Sequence, residues 1–240
     1  LAGKARFAVF DTSLHAAMSE RLRLEGELRQ AIAQGQLAVV YQPLFKLGAS
    51  DAALPQLTRA SKPVSWKHPD GDTLRPTSFL PIAEETGLMV QVSDFVLHCA
   101  CRQLRQWQLS SPELAELSIS INLASGDLAN PALVARVSRA IVESGLRPEH
   151  LTLEITEDIL MSNVAGALDA LTALRRLGVR LAVDDFGTGY SSLSHLSRLP
   201  IDSLKIDRSF VHQLRRNSDD AAVVAAIVQL GSTLRKAVVA

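Results

Sequence analysis

Short apolar runs alternate with longer helical patterns along almost the whole chain, and this alternation restricts the possible folds more than any other feature. The apolar runs predict seven strands, at residues 37–41, 64–66, 117–123, 151–155, 179–183, 203–206 and 237–240. Strands that alternate with helices pair in parallel, either in an open doubly wound sheet or in a (β/α)8 barrel. Seven strands favour an α/β barrel without its last βα unit, since complete barrels have about 250 residues.

The helical stretches between these runs have recognisable ends. Residues 14–32 are predicted to form a lead-in helix that is bent or broken at Gly26 and stopped by Gly35. Three later helices are predicted from a residue near the start and a glycine near the end of each. These pairs are Thr77 with Gly87, Pro131 with Gly145, and Asn163 with Gly178. Residues 48–60 follow neither period and are interpreted as loop-like.

Charge and composition exclude several classes of protein. The 25 basic residues balance the 25 acidic ones, which argues against a partner made of DNA or RNA, and 47% hydrophobic residues exclude a disordered chain. The longest apolar run, residues 221–230, is about half as long as a membrane-spanning helix. Cys99 and Cys101 cannot bridge each other and lack the partners of a zinc site. We therefore expect a soluble protein in a reducing compartment.

Polar side chains lie at or near the ends of four of the predicted strands. They are Asn122, Glu154, Asp184, Asp185 and Lys205. In a barrel, the carboxyl ends of the strands meet on one rim, where active sites lie. Carboxylate and amide oxygens suit Mg²⁺, Mn²⁺ or Ca²⁺, and adjacent aspartates can serve two ions, an arrangement used in phosphodiester chemistry. Each residue alone is better explained as an exposed carboxylate or a helix cap, but four equivalent strand ends together favour a functional rim.

The glycines after the two aspartates allow a second interpretation. Gly187, Gly189 and Ser192 nearly match the phosphate-binding fingerprint of dinucleotide enzymes. Two aspartates directly ahead of these glycines would repel a bare pyrophosphate, so a metal-bridged phosphate fits the segment better than a nicotinamide cofactor. The six histidines are scattered without the spacing of metal ligands and are predicted to be structural or exposed.

Seven segments resemble, in order, the successive motifs of the EAL domain: YQP at 41–43, WKHPDG at 66–71, FLPIAEETGL at 79–88, SINL at 120–123, LEITE at 153–157, DDFGTGYSSL at 184–193 and LKIDRSF at 204–210. The resemblance covers about residues 25–240. EAL domains are bacterial cyclic di-GMP phosphodiesterases and their inactive relatives, built on a modified TIM-type (β/α)8 barrel whose first strand is antiparallel to the rest. Residues 1–24 resemble the tail and linker that follow a diguanylate cyclase-type (GGDEF) domain.

The resemblance implies a role for each candidate residue. It assigns a two-metal site for Mg²⁺ or Mn²⁺ to Asn122, Glu154, Asp184 and Asp185. Lys205 would help to position the attacking water, and Gln42 and Asp207 would contact the ligand. The loop at residues 186–192 would couple the metal site to a helix used in homodimerisation.

Three departures from the family pattern argue against catalysis. The Glu-Ala-Leu signature falls on Ser61, Lys62 and Pro63, so that Ser61 replaces the metal-binding Glu. Ser65 replaces a phosphate-contacting Arg. The chain ends at residue 240, where the family continues into a motif with a catalytic Glu and an eighth strand, so we expect an excerpt or a truncated product. Losing a carboxylate ligand and a bidentate phosphate contact predicts weak or absent metal binding and a vestigial Lys205.

Three functions follow from these observations, and the enzyme question stays open between them. The first is a degenerate EAL domain that binds cyclic di-GMP as a regulatory module. The second is a protein-interaction scaffold without a ligand, and the third is an active phosphodiesterase that yields pGpG with another carboxylate, such as Asp51, Asp70 or Glu84. An upstream GGDEF-like domain is an expected partner. The expected location is the cytoplasm, either free or as the cytoplasmic part of a membrane-attached sensor.

Overall fold

The computed structural model describes residues 12–46, 56–61, 64–67, 73–162, 164–189, 196–212 and 218–240. The elements in chain order are α1 (Thr12–Ala33), β1 (Leu37–Val39), β2 (Gln42–Lys46), β3 (Gln56–Ser61), β4 (Val64–Lys67), β5 (Thr73–Leu74), α2 (Pro76–Glu85), α3 (Met89–Ser110), β6 (Ser118–Asn122), α4 (Leu133–Ser144), β7 (Leu151–Thr156), α5 (Glu157–Ser162), α6 (Val164–Arg176), β8 (Arg180–Phe186), β9 (Ser203–Ile206), α7 (Arg208–His212), α8 (Ser218–Leu234) and β10 (Ala237–Val239). They fall into two compact units, Leu1–Ala38 with Val64–Val92 and Val39–Pro63 with Ser93–Ala240.

The larger unit, Val39–Pro63 with Ser93–Ala240, is built on a seven-stranded sheet. Its strands lie in the order β10-β9-β8-β7-β6-β3-β2. Every neighbouring pair is parallel except β2 with β3, which is antiparallel. Strand order therefore follows chain order, without the reversal that characterises a doubly wound sheet. This is the winding of a (β/α) barrel, with an antiparallel first strand.

Two of the predicted strands belong to a different sheet. The predicted strands at 37–41 and 64–66 correspond to β1 and β4, which join β5 in a three-stranded sheet in the order β1-β4-β5. The large sheet instead contains β2 and also β3, which lies mostly within the stretch 48–60 that the sequence had suggested to be a loop. The segment Gln56–Ser61 has weak intrinsic strand character, but it pairs with β2 on one side and β6 on the other, and this tertiary pairing outweighs propensity.

The first helix corrects another prediction. Helix α1 continues through Gly26 without a break. A single glycine in a helix interior costs only about 1 kcal/mol. Two ion pairs span Gly26 or lie next to it, Arg23 with Glu27 and Arg29 with Glu25. The two partners of each pair are four residues apart, about one helical turn, and the pairs offset part of that cost.

The other predicted helix ends have mixed outcomes. Helix α4 ends at Gly145, which has φ +65°, as predicted for a C-terminal glycine. Helix α2 begins at Pro76 with Arg75 as its N-cap, so Thr77 lies inside the helix instead of before it, because proline favours the first helical position. The predicted cap Asn163 lies outside the described residues.

The two faces of the large sheet differ in chemistry. Alternate strand residues, such as Ile121, Leu153 and Val183, are buried in one apolar cluster with residues of the surrounding helices. Successive side chains of a strand point to opposite faces. The residues between them therefore share the other face, and they are mostly polar: Ser120, Asn122, Thr152, Glu154, Asp184, Ser203 and Lys205.

The smaller unit has its own apolar core. Trp66 of β4 packs edge to face against Phe79 of α2, with ring centroids 5.9 Å apart, and both side chains are fully buried. Arg21 of α1 pairs with Glu85 of α2. Within the described segments, no helix combines the length and apolar character needed to cross a membrane.

Candidate functional site

Side chains from four neighbouring strands meet on the polar face of the large sheet. Lys205 on β9 places its Nζ atom 3.0 Å from Glu154 Oε2 and 3.1 Å from Asp184 Oδ1. Asn122 on β6 donates from Nδ2 to Asp184 Oδ2 over 3.4 Å. Glu154 and Asp184 are 1% and 5% exposed, so both carboxylates are buried. The structure thus brings together Asn122, Glu154, Asp184 and Lys205, as expected for strand ends on a common rim.

Lys205 is the cation of this cluster. Burial alone lowers the pKa of its ammonium group, but the negative charges of Glu154 and Asp184 and their hydrogen bonds outweigh burial, so its pKa is raised. The ammonium group therefore stays charged at neutral pH. Two buried carboxylates share this one internal counter-ion.

Asp185 lies beside the cluster in an unusual conformation. Its φ of 54° is in the left-handed region, which non-glycine residues adopt rarely, and its N–H donates to Asp184 Oδ1 over 3.0 Å. Burial raises the pKa of its carboxyl, and the negative charges of Asp184 and Asp207 raise it further. Hydrogen bonds from Ser209 lower the pKa of Asp207. Asp185 and Asp207 are linked by a side-chain hydrogen bond, in which Asp185 is the more easily protonated partner.

Glu157 is a site residue to which the sequence analysis gave no role. It is 1% exposed, and its Oε2 accepts a hydrogen bond of 2.9 Å from the N–H of Gly187, in the turn after β8. Gly187 has φ +105°, a conformation that favours glycine. A Cβ at Gly189 would lie 3.0 Å from Glu157 Oε1, so glycine permits the close approach. In the sequence, the feature that could have indicated this residue is its position as the second acidic residue of the LEITE segment.

A second buried ion pair supports the turn that follows Asn122, and sequence reasoning missed it as well. Asp127 accepts hydrogen bonds from the N–H of Ala124 and from Ser93 Oγ, both at 3.0 Å. Its other oxygen accepts from Arg136 of α4 at 2.9 Å, and Arg136 also donates to Asp94. The network ties the turn after β6 to helices α3 and α4.

A model of the EAL domain family matches residues 25–240. This chain belongs to the EAL domain family. It is 42% identical over 238 residues to the bifunctional diguanylate cyclase/cyclic di-GMP phosphodiesterase MucR of Pseudomonas aeruginosa, covering 99% of this chain and 34% of MucR. It is 39% identical over 238 residues to the cyclic di-GMP phosphodiesterase NbdA of the same species, covering 99% of this chain and 30% of NbdA.

The solved structures agree with the family assignment. The complex of the PaMucR phosphodiesterase with c-di-GMP superposes with a TM-score of 0.82 at 42% identity, covering 90% of this chain and 85% of that one. The predicted EAL resemblance and the modified TIM-type barrel are thereby confirmed. The chain spans about a third of the length of MucR and NbdA.

The positions of the EAL signature lie at the end of one strand and beyond it. Ser61 is the last residue of β3, and its register partner on β2 is Gln42. Gln42 is exposed. Lys62 and Pro63 lie outside the described residues. Ser65 belongs to the smaller unit, where its Oγ donates to the carbonyl oxygen of Ala38 over 3.4 Å.

EAL phosphodiesterases generally depend on divalent metal ions, so the donor set of this chain is informative. The described residues contain no group of three or more His, Cys, Asp or Glu side chains arranged to hold a metal. Asn122, Glu154 and Asp184 supply hard oxygen donors around the Lys205 ammonium, and these could hold one divalent ion. Asp185 offers one further carboxylate beside Asp184, whereas position 61 carries serine.

Proposed function

We propose that this chain is a degenerate EAL domain that binds cyclic di-GMP and regulates its host protein without hydrolysing the dinucleotide. The observation that carries the proposal is Ser61 at the last residue of β3. Asn122 is likewise the last residue of β6, the next strand of the sheet. Position 61 is therefore a strand-end position of the kind where a metal-binding carboxylate of the family would lie.

The charge balance of the cluster supports the same proposal. Glu154 and Asp184 already share the Lys205 ammonium. A divalent ion would have to compete with this internal cation for the same two carboxylates. Removing one carboxylate ligand at position 61 lowers the charge that attracts the ion, and affinity for Mg²⁺ depends strongly on ligand charge. We expect Mg²⁺ or Mn²⁺ to bind weakly and Lys205 to be vestigial as a catalytic group.

Cyclic di-GMP is the ligand that the relatives favour. The PaMucR phosphodiesterase was solved with c-di-GMP. In this chain, Gln42 is an exposed residue of β2, and Asp207 directly follows β9, where its carboxylate is fixed by Ser209. These two side chains are the proposed ligand contacts, and neither needs a metal ion to be in place.

A second candidate function is an active phosphodiesterase. The identity of 42% to MucR favours it, because MucR is named as a phosphodiesterase. It requires a substitute carboxylate. Glu84 is exposed on α2, and the other two candidates, Asp51 and Asp70, lie outside the described residues.

Two partners belong to the proposal as well. A GGDEF-like domain would accompany this chain, as the bifunctional name of MucR suggests. A second copy of the chain would dimerise through the region of residues 186–192. Of that region, Phe186 is buried, the turn at 187–189 is bonded to Glu157, and residues 190–192 lie outside the described part.

A turnover assay tests the proposal. The protein is incubated with cyclic di-GMP and Mg²⁺ or Mn²⁺, and pGpG is measured by chromatography. We expect no accumulation of pGpG from the unmodified protein. Turnover at ordinary enzyme rates, about 1 s⁻¹ or faster, would support the active phosphodiesterase instead.

A further inference from the structure

Two fully buried hydroxyl groups lie on the polar face of the large sheet, next to the site. Ser120 and Thr152 are both 0% exposed. Ser120 Oγ and Thr152 Oγ1 have no hydrogen-bond partner within the described parts of the chain. The same is true of His150 Nε2, two residues before Thr152. Buried polar groups in folded proteins almost always have a partner, so the two hydroxyl groups call for one.

The two hydroxyls face each other across neighbouring strands. Ser120 of β6 is the register partner of Thr152 of β7, and the pair that follows on the same face is Asn122 with Glu154. Adjacent strands lie about 4.8 Å apart. One water molecule with hydrogen bonds of about 2.8 Å can bridge two hydroxyl groups at that spacing.

Small side chains lie in the next row of the same face, towards the strand ends, whereas the register partner of Thr152 itself on β8 is the exposed Arg180. On the same face, Ala182 of β8 pairs with Glu154 and also with Ser203 of β9. Barrels of this type normally fill their interior with bulky branched side chains. Alanine and serine are smaller than these residues, and they lie one row away from the two hydroxyl groups that lack partners.

We propose that Ser120 and Thr152 bind an ordered internal water, which forms a polar layer beneath Asn122 and Glu154. A buried water needs two to four polar partners, and the two hydroxyls supply two of them. A buried hydroxyl without any partner lowers the folding equilibrium constant about fivefold or more, so a bound water explains why two are kept side by side. The proposal rests on the fold alone and holds whether or not the domain is catalytic.

Two substitutions distinguish hydroxyl groups that bind water from hydroxyl groups that have no partner. The two cases predict changes of opposite sign in the folding equilibrium constant. Thr152→Val keeps the shape of the side chain and removes the hydroxyl, and Ser120→Ala does the same for serine. If the hydroxyls bind water, each substitution lowers the folding equilibrium constant about threefold to tenfold in urea denaturation. If they are dry and unsatisfied, each substitution raises it.

The double variant adds a further distinction. Because both hydroxyls bind the same water, the combined effect should be smaller than the product of the single effects. Thr86→Val is the matched control, since Thr86 Oγ1 donates a hydrogen bond of 2.6 Å to the carbonyl oxygen of Ile82. This substitution removes a hydrogen bond whether or not Ser120 and Thr152 bind water.

The unmodified chain provides a test that does not depend on the folding of variants. In NMR, a long-lived internal water gives cross-relaxation to the amide protons of Ser120 and Thr152. We expect these cross peaks. Their absence, or a Thr152→Val variant that is more stable than the unmodified chain, would overturn the proposal.

Discussion

Lys205 holds its ammonium nitrogen 3.0 Å from Oε2 of Glu154, a carboxylate that is 1% exposed. A buried carboxylate without a partner is strongly destabilising. The pair therefore contributes to the fold of this domain as well as to its site, and the two contributions can be separated by substitution.

Replacing the ammonium group should destabilise the domain. Lys205→Met leaves Glu154 and Asp184 buried without their cation, and we expect the free energy of unfolding to fall by about 2–4 kcal/mol in urea denaturation. Mg²⁺ should recover part of the loss, because a divalent ion binds the carboxylates that lysine has left. Lys205→Arg keeps the charge and serves as the control. Equal stability of Lys205→Met and the unmodified domain would contradict this role.

Restoring the signature carboxylate should improve metal binding. We expect Ser61→Glu to raise the affinity for Mg²⁺ about tenfold or more, since affinity rises with the number of charged oxygen ligands. Calorimetric titration with Mg²⁺ measures the change. Ser61→Gln is the matched control, because it has nearly the same size and no charge. If Glu and Gln at this position have the same effect, Ser61 does not lie at the metal-binding position.

Two of the arginine ion pairs in the larger unit should differ sharply in importance. Arg136 and Asp127 have side chains that are 7% and 2% exposed, and Arg136→Met should cost about 3–5 kcal/mol of unfolding free energy. Arg175 and Asp202 are 48% and 30% exposed, so Arg175→Met should cost about 1 kcal/mol or less. Urea denaturation of both variants gives the comparison. Similar losses would show that burial does not set the value of these pairs.

The sequence predicted the parts of this fold that depend on local patterns. Strands β6 to β9 are short segments with buried apolar residues at alternate positions, and Asn122, Glu154, Asp184 and Lys205 lie at or near their ends. Because the carboxyl ends of parallel strands meet on one rim, strand ends alone were enough to group these four residues.

The sequence could not predict features that depend on distant partners. Strand β3 is stabilised by pairing with β2 and β6, and its own residues do not mark it as a strand. The hydrogen bond from the N–H of Gly187 to Glu157 joins the turn after β8 to the first residue of α5, 30 residues earlier in the chain. The Arg136 network likewise becomes visible only when α3, α4 and the turn after β6 are assembled.

Tyr41 provides a test by pH. Burial raises the pKa of its phenol to about 12, and the nearby thiols of Cys99 and Cys101 add to the effect. Because the folded pKa lies above the unfolded value of about 10, the stabilisation is complete below pH 10 and is lost as the pH rises towards 12. Phenolate absorbance in a Tyr190→Phe background, which leaves Tyr41 as the sole tyrosine, should show a midpoint near pH 12. A midpoint near pH 10 would contradict the effect of partial burial on this phenol.

Calorimetric titration of cyclic di-GMP into the protein, with and without Mg²⁺, tests the central claim most directly. A degenerate EAL domain should bind cyclic di-GMP with a similar affinity in both conditions. Chromatography of the solution from the calorimeter after the titration should recover the dinucleotide intact. Binding that requires Mg²⁺ and ends in pGpG would contradict this account and support an active phosphodiesterase. No binding in either condition would contradict it as well and would support a scaffold without a ligand.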